Sequence, residues 1–277
     1  MSSQTTLSMP IARDAPRLEV ISRYPAKTLD RRPLLFIHGA WHGAWCWSEH
    51  FLDYFADRGY ASHALSLRGH GASDGRSGLR WTRIADYVAD LAQVISVLPR
   101  APIVVAHSMG GFVVQKYLES RSLPACVLLA PVPPQGAARI ASKVFRRHPM
   151  VFLRGNLALS LYPVVETQAL VREAFFSTDI APDLLARYSS YMQDESYRGF
   201  LDMLLLDLPK HRRHDVPALV LAAARDRLFD IEEIEATART FGVEARIVPD
   251  VAHDMMIDTR WHTVAGRIAR WLDVQPS

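Results

Sequence analysis

Short apolar runs alternate with longer segments of helical periodicity along the first half of the chain. Residues 34–37 and 103–106 are continuous apolar runs with the length of a buried strand. Between them, residues 84–98 carry apolar side chains at the spacing of an amphipathic helix. Such alternation predicts a mostly parallel, doubly wound α/β sheet with helices on both faces. The predicted strands are 18–21, 34–37, 60–67, 103–106, 125–130, 217–223 and 245–248, and the accompanying helices are 47–58, 84–98, 112–118, 231–241 and 259–272.

The alternation stops after the predicted strand 125–130 and resumes with the strand 217–223. The interval contains no strand pattern, and its helical patterns fall at 140–145, 169–176, 184–192 and 200–206. We therefore predict a core formed by residues 1–131 and 214–277, with a helical cap inserted at 132–213.

The composition is that of a soluble globular protein, with 277 residues, of which 49% are hydrophobic and 22% charged. The net charge of +3 comes without a long Lys or Arg run, which argues against a nucleic-acid partner. The two distant cysteines, Cys46 and Cys126, favour reduced core residues over a disulfide framework. Neither a signal-peptide pattern nor an apolar stretch of membrane-spanning length occurs, so we expect a cytoplasmic protein without stable membrane insertion. Whether it forms homo-oligomers is left open.

A serine lies at the junction between a predicted strand and a predicted helix. Ser108 follows the strand 103–106, with the small residues Ala106 and Gly110 on either side. This is the context of a nucleophile elbow, in which small neighbours allow a strained turn to expose the serine hydroxyl. Alanine here replaces the first glycine of that pattern. The N–H of Met109, at the start of the helix, is predicted to point to where an oxyanion would form.

A serine nucleophile needs a base, and the base needs an acid that orients it. In a doubly wound sheet, functional side chains lie on the loops that follow the carboxyl ends of the strands. His253, five residues after the strand 245–248, is the predicted base. Asp226, which follows the strand 217–223, is the predicted acid. Its rival Asp230 fits better as the N-cap of the next helix.

Other chemically suggestive features have simpler structural interpretations. His38 and His42 have the spacing of a metal pair on a helix, but Gly39 and the preceding strand argue against a helix, so we predict no metal. The glycine-rich loop 68–75 lacks the patterns of a phosphate-binding loop. Four basic residues cluster in the cap: Lys143, Arg146, Arg147 and Arg154. We predict that they form a solvated face, and attraction of anionic substrates or membranes is the lesser alternative.

Together these residues resemble the α/β-hydrolase superfamily over nearly the whole chain. The residues that carry the resemblance are 38–41, 68–73, 106–111, Asp226 and His253. Residues 38–47 are similar to the opening motif of a branch that contains plant methyl-ester esterases and hydroxynitrile lyases. In that branch the residue after His-Gly supplies the second oxyanion-hole N–H, which the resemblance assigns to Ala40. The lyases of the branch carry Lys after the catalytic histidine, where this chain has Asp254, which counts against a lyase.

The sequence and the resemblance predict a serine hydrolase that cleaves small to medium apolar or aromatic carboxylic esters through an acyl-enzyme. No cofactor is expected, and the partner is a small-molecule ester. The side chains expected to contact the substrate are those of Trp41, His107, Phe175 and Met192. Carbon–carbon bond hydrolysis or perhydrolysis by the same triad is the alternative, and a non-catalytic ligand-binding protein is the third possibility.

Overall fold

The computed structural model describes residues 5–6, 15–27, 29–210 and 213–275. Its strands are β1 (Thr5–Thr6), β2 (Val20–Arg23), β3 (Leu34–Ile37), β4 (Ser62–Leu65), β5 (Ile103–His107), β6 (Cys126–Leu129), β7 (Ala218–Ala223) and β8 (Arg246–Val248). They form one eight-stranded sheet in the order β1-β2-β4-β3-β5-β6-β7-β8. Strands β3 to β8 are parallel, and β1 and β2 pair antiparallel at one edge. The predicted mostly parallel α/β class is confirmed, and β1 is a strand that the sequence pattern did not predict.

Helices connect the parallel strands and fill the interval between β6 and β7. They are α1 (Trp45–Ser48), α2 (Phe51–Ala56), α3 (Ile84–Val97), α4 (Met109–Tyr117), α5 (Ala138–Arg147), α6 (Pro149–Ala158), α7 (Gln168–Phe175), α8 (Pro182–Tyr191), α9 (Tyr197–Leu201), α10 (Ile231–Thr240) and α11 (Trp261–Leu272). The helix predicted at 47–58 is divided into α1 and α2, because His50 leaves helical geometry with φ −145°. Helix α6 was not predicted, since its apolar residues surround the helix and give no periodic signal.

The central strands are covered on both faces. Every residue of β3, β5, β6 and β7 is buried, which explains the continuous apolar runs of the sequence. Phe36 of β3 packs against the rings of Trp47 and Phe55, with centroids 5.1 and 5.8 Å apart. Burying one side chain of this kind contributes about 1.5–3 kcal/mol. The rigid sheet therefore provides a stable base for the loops at the carboxyl ends of its strands.

Both cysteines lie in this core. Cys46 of α1 and Cys126 of β6 are free and buried, as predicted. Burial raises the pKa of the Cys126 thiol to about 12 and raises the pKa of Cys46 well above its ordinary value.

The interval between β6 and β7 contains helices α5 to α9 and, among its described residues, no strand. This agrees with the helical patterns of the sequence, while the division into core and cap at residues 132 and 213 stays a prediction. In the described part of the chain, no helix has both the length and the apolar character needed to cross a membrane.

Candidate active site

Ser108 lies at a sharp turn between β5 and α4. Its backbone has φ 50° and ψ −116°, a conformation that costs a non-glycine residue about 1–3 kcal/mol. The Ser108 N–H donates to Leu129 O at 3.0 Å, and the Ser108 carbonyl accepts from Val132 N at 3.1 Å. The segment that follows β6 therefore holds the strained turn in place.

The two small positions beside Ser108 differ in the space around them. A Cβ at Gly110 would lie 2.7 Å from His38 O and 2.8 Å from Ile37 O. The start of α4 can approach the end of β3 only because residue 110 has no side chain. Ala106 instead lies within β5, opposite Ile37 in the parallel register, and its methyl group is buried there. Alanine is therefore tolerated at the first small position, whereas the second requires glycine.

Ala40 and Met109 lie beside Ser108 on the wall of one cavity. Met109 is the first residue of α4, so its N–H has no acceptor within the helix. Ala40 belongs to the turn that follows β3, in which His42 N donates to Gly39 O at 3.4 Å. The structure thus brings both predicted oxyanion donors next to the serine.

His253 and Asp226 meet at the carboxyl ends of the last two strands. The His253 Nδ1–H donates to Asp226 Oδ2 at 2.7 Å. The other oxygen, Asp226 Oδ1, accepts from the N–H groups of Leu228 and Phe229 at 2.8 and 3.1 Å. The loop after β7 therefore orients the carboxylate, and the carboxylate orients the imidazole.

Aromatic rings surround His253, and two of them belong to the cavity wall. Its ring centroid lies 6.0 Å from that of Phe175, 5.5 Å from that of Phe229 and 4.7 Å from that of His107. Phe175 and Phe229 line the same cavity as Ser108. His253 itself is not part of the lining, so the rings of Phe175 and Phe229 connect it to the cavity that Ser108 lines.

Asp230 has a different environment. It caps α10 in a capping box with Glu233, and it forms an ion pair with Lys143 at 3.0 Å. The structure therefore agrees with the helix-capping interpretation of Asp230.

The cavity lies between the sheet and the cap. It encloses about 880 Å³ including its open mouth, and its walls carry no charged side chain among the described residues. The lining residues are Ala40, Trp41, Ser108, Met109, Val132, Ala137, Ile140, Ala141, Val144, Val151, Phe152, Gly155, Asn156, Ser160, Leu161, Val164, Phe175, Phe200, Met203, Leu228 and Phe229. Apart from Ser108 and the indole N–H of Trp41, only two of these residues carry polar side-chain atoms.

Both of those side chains already bind other protein atoms. The Asn156 amide donates to Phe152 O at 2.7 Å and accepts from the Tyr197 hydroxyl at 2.9 Å. The Ser160 hydroxyl donates to Asp194 at 2.7 Å. Outside the immediate surroundings of Ser108, the cavity thus presents an apolar surface to a ligand.

The four residues expected to contact the substrate separate into two pairs. Trp41 and Phe175 line the cavity, with ring centroids 5.6 Å apart. His107 is buried behind the site, where its Nε2–H donates to His253 O at 2.9 Å. Met192 is buried after α8 and is not part of the lining. A substrate contact by His107 or Met192 therefore receives no support from the cavity.

Several lining residues are not among the four side chains expected to contact the substrate. Val151 and Phe152 lie on the unpredicted helix α6. Leu228 and Phe229 lie two and three residues after Asp226, in the loop after a strand end. That position could have predicted them as lining residues.

A buried ion pair connects the two loops of the site. His42 Nε2 donates to Asp254 Oδ2 at 3.0 Å, and His42 Nδ1 donates to Ala40 O at 2.7 Å. Burial lowers the pKa of His42, but attraction to Asp254 and the hydrogen bonds to Asp254 and Ala40 together outweigh burial and leave that pKa raised. Asp254 directly follows His253, so one side-chain pair holds both the turn after β3 and the loop with the candidate base.

His38, the other member of the sequence pair considered for a metal, uses both ring nitrogens within its own loops. Its Nδ1 donates to Gly39 O at 2.7 Å, and its Nε2 accepts from Leu67 N at 3.0 Å. Burial lowers the pKa of His38 well below its ordinary value. These bonds give His38 the role of shaping the turn after β3.

In the described part of the chain, one group of three side chains has ligand atoms close enough to hold a metal ion. It comprises His107, His253 and Asp254, whose ligand atoms lie within 4.8 Å of one another. His253 Nδ1 already donates to Asp226, and His107 Nε2 to a backbone carbonyl. Two possible ligand atoms of the group, His107 Nδ1 and Asp254 Oδ1, have no hydrogen-bond partner among the described residues.

Glu195 is a fully buried carboxylate that sequence reasoning missed. Its Oε1 accepts from the Tyr87 hydroxyl at 2.7 Å and from Ser196 N at 2.6 Å. Its Oε2 accepts from His70 Nε2 at 3.0 Å and from Trp41 N at 3.4 Å. Burial raises the pKa of Glu195, but attraction to His70 and the hydrogen bonds from His70, Tyr87 and Ser196 together outweigh burial and lower it.

Trp41 forms hydrogen bonds with Glu195 and with two other residues between β6 and β7. Its φ of 66° is left-handed, which is a strained conformation for a bulky residue. Besides the bond to Glu195, the Trp41 carbonyl accepts from Gln193 N at 3.1 Å, and the indole N–H donates to Leu161 O at 3.1 Å. The turn that carries Ala40 is therefore fixed by residues that the sequence assigns to the cap.

Comparisons with known proteins identify the family of this chain. The model of the Alpha/beta hydrolase family matches residues 34–267. Methyl jasmonate esterase 1 of Vitis vinifera is 34% identical over 90 residues, which cover 32% of this chain and 34% of that protein. Norfluorocurarine synthase 2 of a Strychnos species is 33% identical over 89 residues, covering 31% and 33%. The chain thus spans about a third of the length of the curated relatives it matches.

Solved structures match over the whole chain at lower identity. A protein from Mycobacterium tuberculosis has a TM-score of 0.76 and 21% identity, with 100% of both chains covered. An esterase from Thermogutta terrifontis has a TM-score of 0.66 and 19% identity, with 99% of this chain and 100% of its own covered. At this identity the structures support the fold, and the family model extends over most of the sequence. The chain belongs to the alpha/beta hydrolase family.

Proposed function

We propose that this protein is a serine hydrolase that cleaves uncharged, apolar or aromatic carboxylic esters. The observation that carries the proposal is the 2.7 Å bond from His253 to Asp226, formed beside the cavity in which Ser108 occupies a strained turn. A base oriented in this way is what a serine nucleophile requires. The methyl jasmonate esterase among the relatives supports ester cleavage as the reaction class.

In the proposed reaction, Ser108 Oγ attacks the ester carbonyl carbon, and His253 Nε2 takes the serine proton. The carbonyl oxygen becomes an oxyanion that accepts from the N–H groups of Ala40 and Met109. Collapse of this intermediate breaks the bond to the alcohol oxygen, which takes the proton from His253. Water then attacks the acyl-enzyme with the same proton route and releases the acid. Loss of one oxyanion donor in such a site typically costs about 10²–10³ in rate.

The experiment uses p-nitrophenyl esters together with a serine-directed phosphonate. We expect Ser108→Ala to lower kcat by roughly 10⁴ or more, and we expect the phosphonate to label the wild type at Ser108. Ser142→Ala, an exposed serine of α5, is the matched control and should retain activity and labelling. Ester cleavage that persists in Ser108→Ala, with no label on Ser108 in the wild type, would refute the proposal.

A further inference from the structure

Helix α6 is apolar on two opposite sides. One side faces the active-site cavity through Val151 and Phe152. The other carries Met150, Leu153 and Leu157, which are 64%, 48% and 78% exposed. Their spacing of three and four residues places them in one stripe along the helix. Single exposed apolar side chains are normal, but an aligned set on one surface indicates a binding face.

The end of helix α5 extends this stripe. Phe145 is 54% exposed, and its ring packs against that of Phe152 with centroids 5.4 Å apart. We call Phe145, Met150, Leu153 and Leu157 the outer cap face. Helix α6 separates this face from the cavity, so the two apolar surfaces share one helix as their wall.

The charges beside the outer cap face are positive. Arg146 and Arg147 are exposed, directly after Phe145. Among the described residues neither forms an ion pair with a carboxylate. Arg147 Nη1 donates to Arg227 O at 3.5 Å, which brings a third exposed arginine to this region. Arg154 is neutralised by Glu166, which accepts from it at 2.8 and 3.0 Å.

The acidic groups that contact this stretch come from outside it: Glu166 pairs with Arg154, and Glu173 pairs with His148. No Asp or Glu occurs between Glu119 and Glu166. An isologous contact between two copies through this face would bring Arg146 and Arg147 of both copies, which pair with no carboxylate among the described residues, into one interface. Like-charge repulsion disfavours such a contact. An anionic lipid surface satisfies both features, because its headgroups attract the arginines and its acyl region accepts the apolar side chains.

We propose that the outer cap face docks reversibly onto anionic lipid surfaces, with the arginines at headgroup level and the apolar side chains at the acyl boundary. Docking would place helix α6, which lines the cavity, against the lipid, in which apolar esters dissolve. Lipid binding needs no ester cleavage, so this inference goes beyond the proposed function and can be tested without it.

The test is sedimentation of the full chain with phosphatidylcholine vesicles, with and without phosphatidylserine, at low salt. We expect binding to the anionic vesicles, and a loss of about tenfold or more for the double variant Leu153→Glu/Leu157→Glu. The double variant Arg146→Ala/Arg147→Ala should lose about fivefold per arginine on anionic vesicles and little on neutral ones. Val274→Glu, at an exposed apolar position after α11, is the matched control and should bind as the wild type does.

Two results would overturn docking. The first is that the wild type does not sediment with anionic vesicles. If it instead forms a dimer that Leu153→Glu/Leu157→Glu dissociates, the face is a contact between two copies and docking is likewise overturned. The second is unchanged vesicle binding in both double variants. Thermal unfolding by circular dichroism checks folding, and the arginine pair keeps the test decisive if the glutamate pair fails to fold.

Discussion

Single residues at this site combine backbone strain with close packing. Ser108 holds a costly φ of 50°, and the bonds to the segment after β6 maintain it. Gly110 lets α4 approach the end of β3, where a methyl group would contact two carbonyl oxygens. The position of the serine is therefore set by the two strands beside β5 as much as by its own turn. Two predictions concern individual side chains around it.

The first separates Asp226 from its rival Asp230. In Asp226→Asn, an amide N–H group facing His253 Nδ1 would stabilise the tautomer that cannot accept the serine proton. We expect kcat to fall by roughly 10⁴, with the protein still folded because the amide oxygen can accept from Leu228 N. Asp230→Ala removes a helix cap and should cost about 1 kcal/mol of unfolding free energy without changing kcat. Ester kinetics and urea unfolding of both variants check this, and the reverse pattern would assign the acid to Asp230.

The second prediction concerns the pH dependence of stability at His42. The pKa of His42 is raised, because attraction to Asp254 and the hydrogen bonds to Asp254 and Ala40 together outweigh burial. Such a group adds stability that is fully present below the unfolded pKa of about 6.5 and is lost as the pH rises through the folded pKa. We therefore expect His42→Gln to lose more unfolding free energy at about pH 6 than at about pH 9.

His63→Gln is the control with the opposite sign. Burial lowers the pKa of His63 to about 4, so its contribution is present above the unfolded pKa and lost as the pH falls through the folded one. The stability difference between wild type and this variant should shrink on acidification below about pH 6.5. Urea unfolding at several pH values measures the free energy that each variant loses relative to the wild type. If this loss changed with pH in the same direction for both histidine variants, both assignments would be contradicted.

At the scale of elements, the segment after α8 joins the cap to the turn after β3. Gln193 and Glu195 bind the backbone of Trp41 from both sides. Glu195 also connects to Tyr87 of α3 and to His70 in the glycine-rich loop. The position of the Ala40 N–H therefore depends on an element far away in the sequence.

We expect Glu195→Gln to lower both stability and turnover. A buried amide N–H group would face donors where the carboxylate accepts, at a cost of about 3 kcal/mol in unfolding free energy. Displacement of Ala40 would lower kcat about tenfold with little change in KM, because an oxyanion donor acts mainly in the transition state. Glu173→Gln, which breaks a half-exposed pair with His148, should cost about 0–1 kcal/mol and leave kcat unchanged. Lower stability with unchanged kcat would limit Glu195 to a structural role.

The whole molecule encloses its site between a rigid sheet and a helical layer. The cavity walls are apolar, and their polar groups other than Ser108 are bonded within the protein. Charged or strongly polar acyl groups would lose hydration there without gaining partners.

Substrate preference follows from this arrangement. Across p-nitrophenyl esters, each added methylene that is buried should raise kcat/KM about fourfold until the cavity is full. An acyl chain ending in a carboxylate should react more slowly than the neutral chain of equal length. Val151→Trp should shorten the preferred chain, whereas Leu205→Trp, an exposed cap position outside the lining, should not. A flat chain-length profile for the wild type would contradict the apolar cavity as the specificity determinant.

The sequence predicted those parts of the site that follow from local rules. Asp226 and His253 could be located because functional loops follow strand ends, and the strand–turn–helix pattern marked Ser108. Helix α6 could not be predicted, because it is apolar on both sides and its apolar residues show no helical periodicity in the sequence. Glu195 belongs to no motif, and its importance arises from contacts with Trp41 and His70, which lie far from it in the sequence.

The two buried thiols offer a way to observe motion in this molecule. Their raised pKa values leave almost no thiolate in the folded state at neutral pH, so alkylating reagents must wait for the protein to open. Cys46 lies just beyond the turn that carries Ala40, whereas Cys126 is the first residue of the buried strand β6. Faster alkylation of Cys46 than of Cys126 would reveal opening around the proposed oxyanion hole on its own. Equal rates would mean that this region opens only when the whole protein unfolds.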